Sequence, residues 1–61
     1  MLEAVWLKDD EEIYLVSPVL EIRASVDLSS VEVYNGYYWY SQDDCKAVTG
    51  LYPNGFTIRT K

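Results

Sequence analysis

The side chains that could perform acid–base or nucleophilic chemistry are few in this 61-residue chain. It has no histidine and a single cysteine, Cys45, so neither a Ser-His nor a Cys-His nucleophile can form. Asp43 and Asp44 are adjacent, and neighbouring residues of a strand point to opposite faces, so this pair is poorly placed for concerted acid–base work. We therefore expect no enzymatic activity.

The same counts argue against a bound metal or cofactor. One cysteine and no histidine cannot complete a tetrahedral zinc site, and the acidic runs lack the spaced ligands and glycine of a calcium loop. No disulfide can form within the chain, which suits a reducing compartment. Met1–Leu7 lacks the basic start of a signal peptide, and no apolar run approaches the ~20 residues of a membrane helix. We expect a cytoplasmic protein that has no cofactor and does not contact membranes.

Charge gives the first indication of a partner. Ten acidic residues face five basic ones, for a net charge of -5, and all ten acids lie within residues 1–44. Direct nucleic-acid binding is disfavoured, because that affinity comes from cations that displace counterions at phosphates. A protein with a basic surface is the better match. The candidate contact residues are Asp9, Asp10, Glu11, Glu12, Asp43 and Asp44.

Two further considerations bear on these acids. Carboxylates on one face of a strand recur about every 6.8 Å, which is comparable to the spacing of phosphates along a nucleic-acid backbone. The acids could therefore imitate nucleic acid. The alternative for any one acidic run is that it only makes a surface loop soluble.

The elements that would carry these residues are predicted to be strands. Val19–Leu28 alternates without a fault, with Leu20, Ile22, Ala24, Val26 and Leu28 on one face. A period of two over ten residues indicates a half-buried strand, and we place it at the centre of the fold.

Shorter strands are expected before this segment. Leu2–Leu7 and Ile13–Val16 are apolar runs separated by the acidic stretch, and Ser17-Pro18 predicts a break after them. Trp6 shares a strand face with apolar neighbours, so we assign it to the core. The alternation changes phase after Leu28, so a turn or bulge is expected at 27–30.

Two hairpins and one uncertain segment complete the chain. Asn35-Gly36 predicts a two-residue type I′ turn. A second hairpin is predicted at 52–55, with arms at about 47–52 and 56–60. Gln42–Gly50 is either a short helix, with Ser41 and Asp44 forming a capping box, or a loop that leads into a strand. The second interpretation is favoured, because the second hairpin needs a preceding arm.

These elements predict one all-β domain over residues 1–61. Five to seven short strands would form a small antiparallel sheet or meander, either an SH3-like barrel or a curled sheet, with one helical turn near 42–49 as an option. Closure into a barrel would hide the edge strands.

Aromatic residues concentrate on the Asn35-Gly36 hairpin. A two-residue turn would place Glu32, Tyr34, Tyr37 and Trp39 on one face, and Val31 and Val33 on the other. Because the valines are the natural inward pair, the tyrosine and tryptophan face should point outward. Tyr and Trp are enriched at protein interfaces, so this face is a second candidate binding surface. The plain alternative is that Trp39 only covers the core.

Three functions from different classes follow. We expect a small non-enzymatic protein that acts by protein–protein contact, most concretely a phage-type stoichiometric inhibitor or adaptor that occludes a basic nucleic-acid-handling site. The second hypothesis is a structural or accessory subunit whose aromatic face is buried in a homo-oligomer or larger assembly. The third is a carbohydrate- or peptide-binding module that stacks its ligand on those rings.

Overall fold

A computed structural model describes all 61 residues as six short strands and one helix. In chain order these are β1 (Leu2–Lys8), β2 (Glu11–Val19), β3 (Glu21–Ala24), β4 (Val31–Tyr34), β5 (Trp39–Tyr40), α1 (Gln42–Thr49) and β6 (Gly55–Thr60). This confirms the predicted small all-β domain of five to seven short antiparallel strands, and it contains the helical turn near 42–49 that the sequence offered as an option. The strands are divided between a first sheet, in the order β2-β1-β6, and a second sheet, in the order β3-β4-β5.

The first sheet is built around β1, which pairs with β2 on one side and β6 on the other. The predicted strands at 2–7 and 13–16 are therefore confirmed, but the predicted break at Ser17-Pro18 is wrong. β2 continues through this dipeptide, whose peptide bond is cis. Its register with β1 slips by one residue between Leu2↔Val19 and Ala4↔Val16, and such a bulge accommodates a proline that cannot donate to the ladder.

The prediction of a long central strand over Val19–Leu28 is wrong. β3 has four residues and pairs only with β4, so it is an edge strand. Ile22 is 47% exposed although its partner in β4, Val33, is fully buried. The reason is that the core formed with the first sheet covers β4 and stops short of β3. The apolar face of this segment, including Val26 and Leu28, is left in solvent.

The chain leaves β3 at a turn organised by Asp27, where a turn was predicted. Its carboxylate accepts hydrogen bonds from the hydroxyls of Ser25 and Ser29, both at 2.7 Å, and from the Ser29 N–H at 3.1 Å. These bonds favour the charged form and lower the pKa of Asp27 to about 2. These hydrogen bonds form a turn, which explains why the strand ends at Ala24 although the alternation of apolar residues continues to Leu28.

The hairpin between β4 and β5 has a four-residue connection, Asn35–Tyr38, so the predicted two-residue turn is wrong. Tyr34 pairs with Trp39 and Val33 pairs with Tyr40, each two positions beyond the predicted partner. A shift of two residues leaves every strand side chain on its predicted face, because side chains alternate with a period of two. Tyr34 and Trp39 therefore share the outer face of the second sheet.

The loop is longer because Asn35 uses its side chain instead of a left-handed backbone. Its Oδ1 accepts hydrogen bonds from the N–H groups of Tyr37 and Tyr38, both at 2.9 Å. Only Gly36 has a positive φ, 105°, whereas a type I′ turn needs two such residues. Tyr37 thus belongs to the loop and not to a strand face.

Residues 42–49 form a helix, so the less favoured of the two interpretations is correct. The Asp44 carboxylate accepts hydrogen bonds from the N–H of Ser41 at 2.7 Å and from its hydroxyl at 3.1 Å. Gly50, with φ of 76°, ends the helix and donates its N–H to the Lys46 carbonyl. Because these residues are helical, the predicted strand arm at 47–52 does not exist.

The predicted hairpin at 52–55 is therefore wrong, although its second arm is a strand. β6 pairs with β1 along its length, from Leu2↔Thr60 to Leu7↔Gly55. Pro53 and Asn54 lie in the connection between α1 and this strand.

A series of aromatic contacts joins the two sheets. Trp6, buried as predicted, lies 4.9 Å from Phe56 and 5.5 Å from Tyr14, measured between ring centroids. Tyr14 in turn lies 6.3 Å from Tyr40 of the second sheet. The buried core around these rings consists of Ala4, Trp6, Val16, Val19, Val33 and Cys45.

The same substitution at two valines, one buried and one exposed, tests where this core ends. Val33 is 0% exposed and Val26 is 105% exposed. We expect Val33→Ala to lower the free energy of unfolding by about 2 kcal/mol, because methyl groups leave a packed core. Val26→Ala should change it by less than about 0.5 kcal/mol. Equilibrium urea unfolding measures both, and equal losses would contradict the position of the core.

Candidate functional site

The acidic tip, which we define as Asp9, Asp10, Glu11 and Glu12, is the end of the β1–β2 hairpin. Asp9 and Asp10 form a two-residue connection with φ values of 51° and 65°, and Lys8 pairs with Glu11 across it. Positive φ at both central positions is typical of a type I′ turn, and aspartate adopts this backbone more readily than most residues. The tip is therefore a tight two-residue turn.

Asn54 ties the tip to the connection between α1 and β6. The Asp9 N–H donates to Asn54 Oδ1, and Asn54 Nδ2 donates to a carboxylate oxygen of Asp9, each at 3.2 Å. The backbone N–H of Asn54 also donates to the Leu7 carbonyl at 2.8 Å. These bonds hold the tip against the residue that precedes β6.

The ion pairs divide the ten acids into two groups. Four of them pair with basic side chains, namely Glu3, Asp9, Glu12 and Glu32. The other six have no basic partner, and two of these, Asp10 and Glu11, lie side by side in the acidic tip. Negative charge at the tip is therefore only partly neutralised within the chain.

The predicted phosphate-like spacing of the acids is not present. Asp9 and Asp10 occupy the turn itself, and Glu11 and Glu12 are consecutive strand residues that point to opposite faces. A regular row of carboxylates along one strand face does not form, because the apolar run that would continue it begins at once with Ile13.

Asp43 and Asp44, the other predicted acidic contacts, lie in the first turn of α1 and serve different purposes. Asp44 caps the helix through Ser41 and also accepts a hydrogen bond from the Tyr38 hydroxyl at 3.3 Å. The charge of Asp44 raises the pKa of Tyr38. Asp43 is exposed and lines a pocket of about 290 Å³ with Trp6 and Phe56, between the start of α1 and the turn after β3.

Glu12 takes part in an ion pair that crosses the outer face of the first sheet. Arg59 donates from Nε to Glu3 at 2.6 Å and from an η nitrogen to Glu12. Arg59 lies opposite Glu3 on β6, while Glu12 lies opposite Leu7 on β2, so Val5 of β1 is midway between them. Val5, which is fully buried although it lies outside the main core cluster, shares this face of β1 with Glu3 and Leu7.

The predicted aromatic face forms only in part. Glu32, Tyr34 and Trp39 share the outer face of the second sheet, whereas Tyr37 stands alone in the loop at 93% exposure. Arg23, which the sequence analysis did not include, belongs to this face. Its position opposite Glu32 was the available signal, but it depends on the register of β3 with β4.

The rings on this face already contact groups of the same chain. Tyr34 stacks on Trp39 with ring centroids 5.0 Å apart and planes inclined by 27°. The Arg23 guanidinium lies 4.0 Å from the Trp39 ring and pairs with Glu32 at 2.9 Å. Because the indole has two intramolecular partners, less of it is available for a sugar or a base to stack on.

Other kinds of site find little support in the geometry. Cys45, the one thiol, is completely buried, and no three acidic or thiol side chains come close enough to share a metal ion. The single helix is neither long nor apolar enough to cross a membrane. No hydrogen bond, ion pair or ring contact joins the acidic tip to the aromatic face.

Comparison of the chain with protein-family models, with curated protein sequences and with solved structures found no match.

The ion pair between Glu12 and Arg59 predicts a pH-dependent stability. Its hydrogen bond to Arg59 lowers the pKa of Glu12 below the ordinary glutamate value. The stabilisation is therefore complete above the ordinary pKa, and is lost as the pH falls through the lowered one. We expect Glu12→Gln to reduce the free energy of unfolding at neutral pH, and the difference from the unmodified chain to shrink in acid.

Urea unfolding at a series of pH values measures this difference. Glu21→Gln is the matched control in dilute solution, because in the single chain Glu21 is an exposed strand glutamate with no ion-pair partner, and we expect it to change little at any pH. A Glu12→Gln effect of constant size from neutral to strongly acidic pH would contradict the ionic origin of the stabilisation.

Proposed function

We propose that this chain is a non-enzymatic protein-binding domain that docks its acidic tip on a basic surface of a partner protein. The observation that carries this proposal is the tight, hydrogen-bonded turn that holds Asp10 and Glu11 in solvent without basic partners. In its most concrete form the domain is a stoichiometric inhibitor or adaptor. It would cover a basic nucleic-acid-handling site, because such sites present the densest positive charge.

The rigidity of the tip favours binding. A contact segment that is already ordered loses little conformational entropy when the complex forms, so more of the interaction energy appears as affinity. The two hydrogen bonds between Asp9 and Asn54 supply that order here. The excess of negative charge would also speed the encounter with a basic partner at low ionic strength.

A shallow pocket beside the tip suits a basic side chain. It is lined by Lys8, Asp9, Glu11, Ile13 and Leu51. Leu51 and Ile13 offer an apolar surface to the alkyl stem of a lysine or arginine, and Glu11 lies next to them for its charged end. Lys8 and Asp9 pair with each other, so the charge of Glu11 is left without a basic partner. This combination of apolar and acidic groups supports a basic protein as the partner over a small neutral ligand.

Substituting either of two similar glutamates distinguishes a local contact at the acidic tip from a general effect of net charge. Glu11 and Glu21 are each the first residue of a strand, and each is exposed without an ion pair. We expect Glu11→Gln to weaken capture of the partner severalfold. The substitution keeps the shape of the side chain and removes its charge, and the loss of one interface charge costs about 1 kcal/mol of binding free energy. Glu21→Gln should leave it unchanged.

The measurement is affinity capture from a host lysate at low and high salt, with the captured protein identified and then titrated against both variants. The proposal expects a partner with a basic surface whose binding weakens as salt rises. Capture that is indifferent to salt, or equally affected by the two substitutions, would contradict docking through the acidic tip.

A further inference from the structure

The outer edge of β3 offers an unpaired row of backbone groups. The Ser25 N–H donates to the Ser30 carbonyl at 2.8 Å, in line with the register Ala24↔Val31. Because bonding alternates along an antiparallel strand, Glu21 and Arg23 turn their backbone groups toward β4. The N–H and C=O of Ile22 and Ala24 point the other way, into solvent.

The side chains at this edge are also without cover. Leu20 and Ile22, which continue the inner face of the second sheet, are 61% and 47% exposed. An alternating apolar face beside a free strand edge has the two features needed for adding another strand: open hydrogen-bonding groups and apolar surface to bury.

The other free edges are less suitable. β5 has only two residues, and β2 contains two register irregularities and Pro18. β6 is regular, but Arg59 is its only charged residue, so charge selects no register for a partner strand. β3 combines a regular edge with charges of both signs.

We propose that β3 of a second copy of this chain pairs antiparallel with β3, with Ile22 opposite Ile22 at a two-fold axis. The two second sheets then become one continuous six-stranded sheet. This interface is independent of the proposed docking of the acidic tip, which lies on the first sheet.

The sequence of β3 is self-complementary only in this register. With Ile22 at the centre, Glu21 of each copy faces Arg23 of the other, and Leu20 faces Ala24. Centring the pair on Arg23 places two arginines in opposition, and centring it on Glu21 places two glutamates in opposition. A shift of one residue is excluded, because it would put apolar and charged side chains on the same face.

The charged partners are available for this contact. Glu21 has no hydrogen bond or ion pair within its own chain, and Arg23 uses only Nε in its bond to Glu32. The Leu20 N–H is already bonded to the Tyr34 carbonyl at 2.8 Å, so the central backbone bonds of the ladder are the two reciprocal ones between Ile22 of each copy. All backbone bonds of the proposed ladder thus use groups that are free in the single chain.

Sedimentation equilibrium over a range from about 10 µM to about 1 mM tests whether a dimer forms, since so short an interface should be weak. We expect a monomer–dimer equilibrium. Glu21→Arg should raise the dissociation constant about tenfold or more, because each copy then opposes an arginine with an arginine. A chain that stays monomeric over the whole range, or a Glu21→Arg dimer as stable as the original, would overturn the proposal.

Mixing two charge variants tests the register. Glu21→Arg and Arg23→Glu should each self-associate poorly, yet together form a heterodimer in which every opposed pair has opposite charges.

If Arg23→Glu does not fold, because Arg23 also contacts Glu32 and Trp39, a second pair of variants decides. Ile22→Lys should abolish the dimer, and the matched control Val26→Lys, outside the ladder, should retain it. The absence of a heterodimer from folded variants, or an unchanged Ile22→Lys dimer, would refute this pairing.

Discussion

The position of Trp6 at the middle of β1 is the constraint on which the rest of the structure depends. β1 is the only strand of the first sheet with neighbours on both sides, and its indole contacts Phe56 and Tyr14 within that sheet. Tyr14 then reaches Tyr40 of the second sheet. With so few buried residues, one aromatic series has to hold both sheets together. The segments that do not contact this aromatic series, including β3 and the acidic tip, lie at the surface.

The parts of the fold that follow from local sequence were predictable. Apolar runs identified β1 and part of β2, and the burial of Trp6 followed from its neighbours. Val19–Leu28 failed because alternation shows only that side chains point to two sides; whether a second layer covers one of them depends on how far the sheets overlap. The helix at 42–49 had its own local signals in Ser41, Asp44 and Gly50. They were outweighed by the assumption that the turn at 52–55 needed a preceding strand.

The candidate surfaces were predictable in composition but not in detail. The acidic tip was apparent from four consecutive acids, whereas the pairing of Glu12 depends on Arg59, which is distant in sequence. Asp44 is used for helix capping, which only the helix assignment reveals. On the aromatic face, Tyr37 was misplaced because the Asn35 side chain replaced the expected turn. In each case a contact between distant residues, or a side chain competing with the backbone, determined the outcome.

The stable core is built around β1, and β3 lies outside it with its outer edge unpaired. Amide hydrogen exchange measured residue by residue at low protein concentration tests this most directly. We expect the slowest exchange for amides of β1, such as those of Val5 and Trp6, and fast exchange for Ile22 and Ala24. Protection of Ile22 and Ala24 equal to that of β1 under these conditions would contradict it.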